Sequence, residues 1–238
     1  MTAAGVLVEF AAVVKDYQGL RPLRVAGLRV SSGEVVTVSG PDALAAEVLV
    51  NLMTAAMRPD HGAVTLFGKS TDAIDDYDAW LAMLDGFGLV TDRAVLLQQC
   101  SIAQNLALPL TLAIEPIAPE LRPRVEALAD EVGIAREAMG GSVRSADPVV
   151  LQRLRLARAL ALDPRLIVAE HPTASLPRDA VVPFARDLAR IAARRGAGLL
   201  AISLDQEFVR ALGGTALTLN PKTGEVGRPG LLARLGLG

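Results

Sequence analysis

The stretch Leu156-Ala157-Arg158-Ala159-Leu160-Ala161-Leu162-Asp163-Pro164-Arg165-Leu166 changes its periodicity midway. Residues 149–162 carry apolar side chains at helical spacing, with no glycine or proline among them. Asp163-Pro164 then interrupts the pattern, because proline has no N–H to extend the helical ladder and disfavours helix in the residue before it. Just beyond, residues 166–169 are all apolar and end on Glu170-His171-Pro172. A short unbroken apolar run predicts a strand covered on both faces, as in a parallel sheet flanked by helices. The order repeats downstream, with a helical pattern at 180–194, then Gly196 and Gly198, then an apolar run at 199–203. Helices alternating with apolar strands predict an α/β fold.

Upstream the grain is finer. The first forty residues alternate apolar and polar positions in runs at 6–14 and 28–39, around Gly19, Pro22 and a Ser31-Ser32-Gly33 turn, which predicts a small antiparallel region. From Ala43 the period lengthens, and 43–57 predicts a helix closed by Arg58-Pro59-Asp60-His61-Gly62. Residues 63–67, closed by Gly68, and 87–90 predict strands. Residues 102–140 are helical in pattern, clearest at 121–132, and predict an inserted helical lobe.

Composition narrows the function. A chain of 238 residues suits one α/β domain. A formal charge of -2 supplies no basic field for nucleic acid, so none is expected as a partner. Cys100 is the only cysteine, which excludes an internal disulfide and a cysteine-cluster zinc site and fits a reducing compartment. The first ten residues lack the features of a signal peptide, so a cytoplasmic location is expected. Hydrophobic content is 51%, yet Asn105, Pro109, Glu115, Asp163 and Glu170 break the apolar stretches before the ~18 residues a spanning helix needs.

The opening stretch, with Pro172-Thr173 after it, resembles the helix-to-strand passage of the ATP-binding-cassette (ABC) transporter ATPases. Three further stretches lie at the family's distances from it: Ser32-Gly33-Glu34-Val35-Val36, Arg58-Pro59-Asp60-His61-Gly62-Ala63-Val64 and Asn105-Leu106-Ala107-Leu108-Pro109-Leu110. The resemblance covers about residues 6–226. It implies a P-loop NTPase-like ABC ATPase fold, with a mixed/parallel sheet core, an N-terminal antiparallel β region and an inserted α-helical subdomain. It also implies one domain over 1–238, with a core lobe at about 1–91 and 163–226, a helical lobe at about 92–162 and a tail at about 227–238. Such subunits dimerise head to tail, each ATP lying between one protomer's phosphate loop and the other's signature motif, and work with a membrane permease.

Carried over position by position, the family's nucleotide motifs meet unlike residues. Its phosphate loop, G-x-x-x-x-G-K-[ST], cradles phosphate with backbone N–H groups and a lysine. Here Gly40-Pro41-Asp42-Ala43-Leu44-Ala45-Ala46-Glu47 fills that place, with Ala46 at the lysine and Glu47 at the magnesium-binding hydroxyl. Losing a cation and adding an anion beside a triphosphate costs on the order of a few kcal/mol at an effective dielectric near ~20. An alanine-rich helix capped by Asp42 accounts for the stretch better. A nearby Gly62-Ala63-Val64-Thr65-Leu66-Phe67-Gly68-Lys69-Ser70 ends in the right dipeptide, but has five strand-forming residues between its glycines where the motif has four.

The family's inter-lobe glutamine, which touches magnesium, is matched by Asp92. Its signature L-S-G-G-[EQ] falls at Ala146-Asp147-Pro148-Val149-Val150, where Asp147-Pro148 predicts a capped helix start and sets a negative charge where the family offers N–H groups. Its magnesium aspartate and catalytic glutamate are matched by Glu170 and His171, and its histidine contacting the terminal phosphate by Leu204. Proline stands at 177 in place of an aspartate. Tyr17 matches the aromatic that stacks on adenine.

The resemblance therefore implies a transporter subunit of pseudo-ATPase type, at the inner face of the membrane. It would act by binding a permease or an ATPase-competent paralogue, as a homo- or heterodimer, with ATP and Mg2+ as cofactors only if the altered site still holds them. The alternative is an ATPase with weak residual binding or hydrolysis through Glu170, His171 and Asp92. A third reading is nucleotide sensing without turnover.

Overall fold

The structure is a computed structural model describing residues 5–74 and 76–228. The expected tail at 229–238, and the first four residues of the segment read for a signal peptide, lie outside the described residues. The opening stretch folds as its pattern predicts. Helix α5 (Pro148–Leu160) ends before Asp163, which takes a φ of 54°, and β7 (Leu166–Glu170) follows with every residue buried. Helix α6 (Arg178–Arg195) then leads through Gly196, in the left-handed conformation, to the equally buried β8 (Gly198–Ser203).

These strands belong to one ten-stranded sheet among the described residues. Its parallel block runs β9 (Thr215–Asn220), β3 (Val35–Ser39), β8, β7, β6 (Phe87–Thr91). Its antiparallel block runs β5 (Lys69–Ser70), β4 (His61–Leu66), β1 (Val6–Lys15), β2 (Leu23–Ser31). The three-residue β10 (Glu225–Gly227) joins the blocks, pairing parallel to β2 and antiparallel to β9. This corrects the reading of 28–39 as part of one antiparallel start: 35–39 is β3, inside the parallel block. The Ser31-Ser32-Gly33 turn carries the chain from one block to the other.

Strand pleating sends alternate side chains to opposite faces. Leu166, Val168, Leu200 and Ile202 enter one apolar cluster with β1, β2, β4 and α1 (Ala43–Met53). Ile167, Ala169, Leu199 and Ala201 enter a second. That second cluster continues through α5, α6 and α7 (Gln206–Leu212) into the middle segment, where it holds Leu106 of α3 (Ile102–Ala107) and Val125 and Leu128 of α4 (Arg122–Val132). At Gly88 an added Cβ would lie 2.5 Å from the Ala159 carbonyl oxygen, so the glycine lets α5 settle on β6. No helix among the described residues is long and apolar enough to cross a membrane.

Two helical expectations are shortened. The helix expected over 43–57 stops at Met53, where the Thr54 hydroxyl donates to the Val50 carbonyl at 3.0 Å and Ala55 turns to a φ of 56°. Within 102–140 the α-helices are α3 and α4, while 108–121 is irregular apart from an Ile114–Ile117 bridge. Pro109, Pro116 and Pro119 deny that segment the N–H groups a helix needs. Helix α2 (Tyr77–Leu84), α7, β9 and β10 were not anticipated from the pattern.

Candidate functional site

The parallel strands end along one edge, and five of the residues matched to the family's motifs, Glu47, Asp92, Glu170, His171 and Leu204, line a cavity of about 1090 Å³ there. It is lined by Ala43 and Glu47 of α1, Thr91, Asp92 and Arg93 at the end of β6, Glu170, His171 and Thr173 at the end of β7, and Ser203 to Glu207 at the end of β8. Crevices beyond the carboxyl ends of parallel strands are the usual binding places of such sheets. Five carboxylates line this one (Glu47, Asp92, Glu170, Asp205, Glu207) against three guanidiniums (Arg93, Arg178, Arg210).

The β3–α1 loop is held by its own atoms. Gly40 has a φ of 95°, and an added Cβ would stand 2.9 Å from the Leu219 carbonyl oxygen, so the approach of β9 alone requires glycine. Asp42 is the N-cap of α1, its carboxylate accepting the Ala45 N–H at 2.8 Å. Ala46 is fully buried in the core. Glu47, one residue on, is half-exposed at the cavity. The Gly62 to Ser70 stretch forms β4, a tight turn and β5, away from the cavity lining.

At the end of β7, Glu170 is buried and faces Arg93, which reaches it with Nε at 3.2 Å and Nη2 at 2.7 Å. The same guanidinium touches Glu47 Oε1 through Nη1 at 2.8 Å. Sequence reasoning did not single out Arg93, because its partners are distant in the chain and leave no local spacing. Next to it, Asp92 turns the other way to Arg155 of α5, at 3.3 Å. His171 adopts a φ of 42°, and its N–H donates to the Ile202 carbonyl at 2.8 Å. Its Nε2 is buried without a hydrogen-bond partner.

After β8, Leu204 is exposed at the cavity rim. Asp205 caps α7 by accepting the Glu207 and Phe208 N–H groups, and it also accepts from the Thr173 hydroxyl at 3.1 Å and from Arg178 at 2.8 Å. Burial pushes its carboxyl up, but the Phe208 and Thr173 hydrogen bonds and the Arg178 charge outweigh that and hold it below the usual range. Tyr17 lies outside this lining, two residues past β1, with its ring folded over Gly19, where an added Cβ would meet it at 2.6 Å. Partial burial, then the charge of Asp42, raises its hydroxyl pKa. Asp147 also stands apart from the lining, capping α5 by accepting the Val149 N–H at 2.8 Å, with Pro148 at the first helical position.

The sheet order, the strand-end crevice and the helical insertion together define the ABC ATPase fold. Across 93% of this chain and 97% of its own length, the dimeric ATP-binding cassette MJ0796 bound to ADP and Pi superposes with a TM-score of 0.75 at 23% identity. CbiO1 from Clostridium perfringens, part of the cbiONQ ABC transporter complex, gives a TM-score of 0.80 at 18% identity over 98% of this chain and 92% of its own.

In sequence, the chain is similar to proteins named as methionine import ATP-binding proteins. It is 31% identical over 237 residues to the methionine import ATP-binding protein MetN 2 of Burkholderia pseudomallei, an alignment covering 97% of this chain and 58% of the relative. It is 26% identical over 219 residues to MetN of Brucella abortus, covering 90% of this chain and 57% of that protein. The chain thus spans less than two thirds of the length of these curated relatives. No protein-family profile matches it.

Proposed function

We propose that the chain is a non-catalytic subunit of an ABC transporter, a pseudo-ATPase that acts through protein contacts. The observation that carries this reading is that both helix starts matched to phosphate-binding motifs are closed by carboxylates of the chain itself, Asp42 on α1 and Asp147 on α5. A helix N-terminus attracts anions through its free N–H groups and its dipole. Here each start carries a negative charge already, and a polyphosphate would have to displace it.

The residues do not suit magnesium-bound ATP. Ala46 offers no cation, Arg93 pairs with two of the three carboxylates matched to metal positions, Glu47 and Glu170, while Arg155 holds the third, Asp92, and the cavity lining carries two more carboxylates than guanidiniums. No catalytic step is derived through the nucleotide. In this reading Gly40, Asp42, Ala46, Glu47, Asp92, Asp147, Glu170, His171 and Leu204 mark where a nucleotide site would lie, and their present work is structural. Tyr17 packs on its own loop instead of on a base.

The division into a core lobe at 1–91 and 163–226 and a helical lobe at 92–162 belongs to the same proposal. A groove of about 260 Å³ between them, lined by Leu84, Leu89, Leu96, Pro109 and Leu162, offers an apolar seat for a permease at the inner face of the membrane. Pairing with an ATPase-competent paralogue is the other contact proposed. Calorimetric titration with Mg-ATP to millimolar concentration is the test: absence of heat is expected, and micromolar binding would overturn the reading.

The competing proposal, weak ATP binding or hydrolysis, draws on the large strand-end cavity and on relatives named ATP-binding proteins. It requires magnesium-dependent phosphate release that His171→Ala abolishes.

A further inference from the structure

The segment 91–97, which leads from β6 toward α3, is gripped from two sides by the chain's own charges. On the sheet side, the Arg93 guanidinium bridges Glu47 of α1 at 2.8 Å and Glu170 of β7 at 2.7 Å. On the helical side, Asp92 pairs with Arg155 at 3.3 Å, and Arg158 Nη1 donates to the Val95 carbonyl at 2.7 Å. Asn105 of α3 closes the far end, accepting the Leu97 N–H at 2.8 Å and donating to the Leu97 carbonyl at 3.0 Å.

The Glu170 side chain is only 7% exposed. A carboxylate so placed demands a positive partner, since an unpaired buried charge is strongly destabilising. Two carboxylates converging from α1 and β7 would ordinarily invite a hard divalent cation. Arginine meets the demand differently: its planar fork is permanently charged, presents several donors at fixed angles, and cannot dissociate from the chain.

We propose that Arg93 is a built-in cation, occupying the place between Glu47 and Glu170 that an exchangeable metal ion would fill, and that it latches segment 91–97 to the sheet without nucleotide or metal. This rests on the non-catalytic reading and gives it a physical consequence. The joint between sheet and helical lobe is set by covalent sequence, independent of any ligand's presence. Arg93 is a positioning residue in this scheme, acting through the segment it holds.

Hydrogen–deuterium exchange on the full chain, in EDTA and without nucleotide, tests it. The Arg93, Ala94 and Leu97 amides, bonded to Thr91 Oγ1, the Thr91 carbonyl and Asn105, are the reporters. In the wild type their exchange is expected to be slow and unmoved by Mg2+. Arg93→Ala is expected to speed it by about tenfold, the effect of losing roughly 1.4 kcal/mol of local stability. The variant should also take up Mn2+, read as loss of the free-ion electron paramagnetic resonance signal, and Mn2+ should slow the three amides again.

General loss of packing would loosen the whole helical lobe and would not be reversed by the ion. Should Arg93→Ala fail to fold, Arg93→Lys keeps the charge without the fork and is expected to show the same pattern at smaller size. Unchanged exchange in a folded variant, or Mn2+ uptake by the wild type equal to the variant's, would overturn the proposal. Protection of residues 42–47 by Mg-ATP in the wild type would instead defeat the non-catalytic reading, a result separable from the nucleotide-free comparison.

Discussion

Asp42 and Asp147 show how much a single side chain decides at a helix start. Each satisfies a backbone N–H that the helix cannot pair within itself, and each sets a negative charge at the positive end of the dipole. Replacing either by alanine is expected to lower stability by about 1 kcal/mol in urea denaturation, and asparagine, itself a good cap, by less. Both caps were legible in the sequence, Asp147 especially, because a cap followed by proline is a local pattern. Arg93 was not, since its meaning depends on Glu47 and Glu170 being brought together by the sheet. The left-handed φ of His171 and its buried, unpaired Nε2 are likewise products of tertiary packing, which no spacing of residues announces.

Among the elements, the long and strongly patterned ones were readable: α4, α5 and α6 by their apolar stripes, β7 and β8 by their unbroken apolar runs. The short α7 and β10 were not. Helix α7 has seven residues and β10 three, too few for a period to emerge, and they form because they pack on larger neighbours. Helices also meet through charge, as where Arg195 at the end of α6 reaches Glu131 of α4 with two donors, at 2.9 and 2.6 Å.

Those hydrogen bonds, against the opposing effect of burial, hold the Glu131 carboxyl below its usual range. A carboxyl lowered by folding stabilises the protein above its unfolded-state pKa, roughly 4.3, and that contribution fades as pH falls through the lower folded value. Glu131→Gln is therefore expected to lose up to about 1 kcal/mol near neutral pH, since the pair is only partly buried and solvent screens it. Thermal melts of the two proteins should draw together only as pH falls below the unfolded-state value and through the lower folded one.

For the whole molecule, the proposed non-catalytic reading leaves no nucleotide to draw two copies together. Light scattering is expected to give the same mass with and without millimolar Mg-ATP, and a nucleotide-dependent doubling would return the chain to the ATPase reading. The fold class was legible because alternating helices and apolar strands admit few architectures. The joining of the two sheet blocks was not, because it rests on β10.

Val226, 1% exposed in β10, packs in the cluster shared by both blocks. Val226→Asp is expected to cost about 3 kcal/mol by denaturant unfolding, as burial of an unpaired charge does. The position of that strand in the chain also bears on synthesis. β2 leaves the ribosome long before β10, and β3 long before its neighbours β8 and β9, so through most of translation the nascent protein carries both strands with open edges. Such edges are templates for pairing with other chains, which makes the newborn protein more prone to aggregate than the finished one.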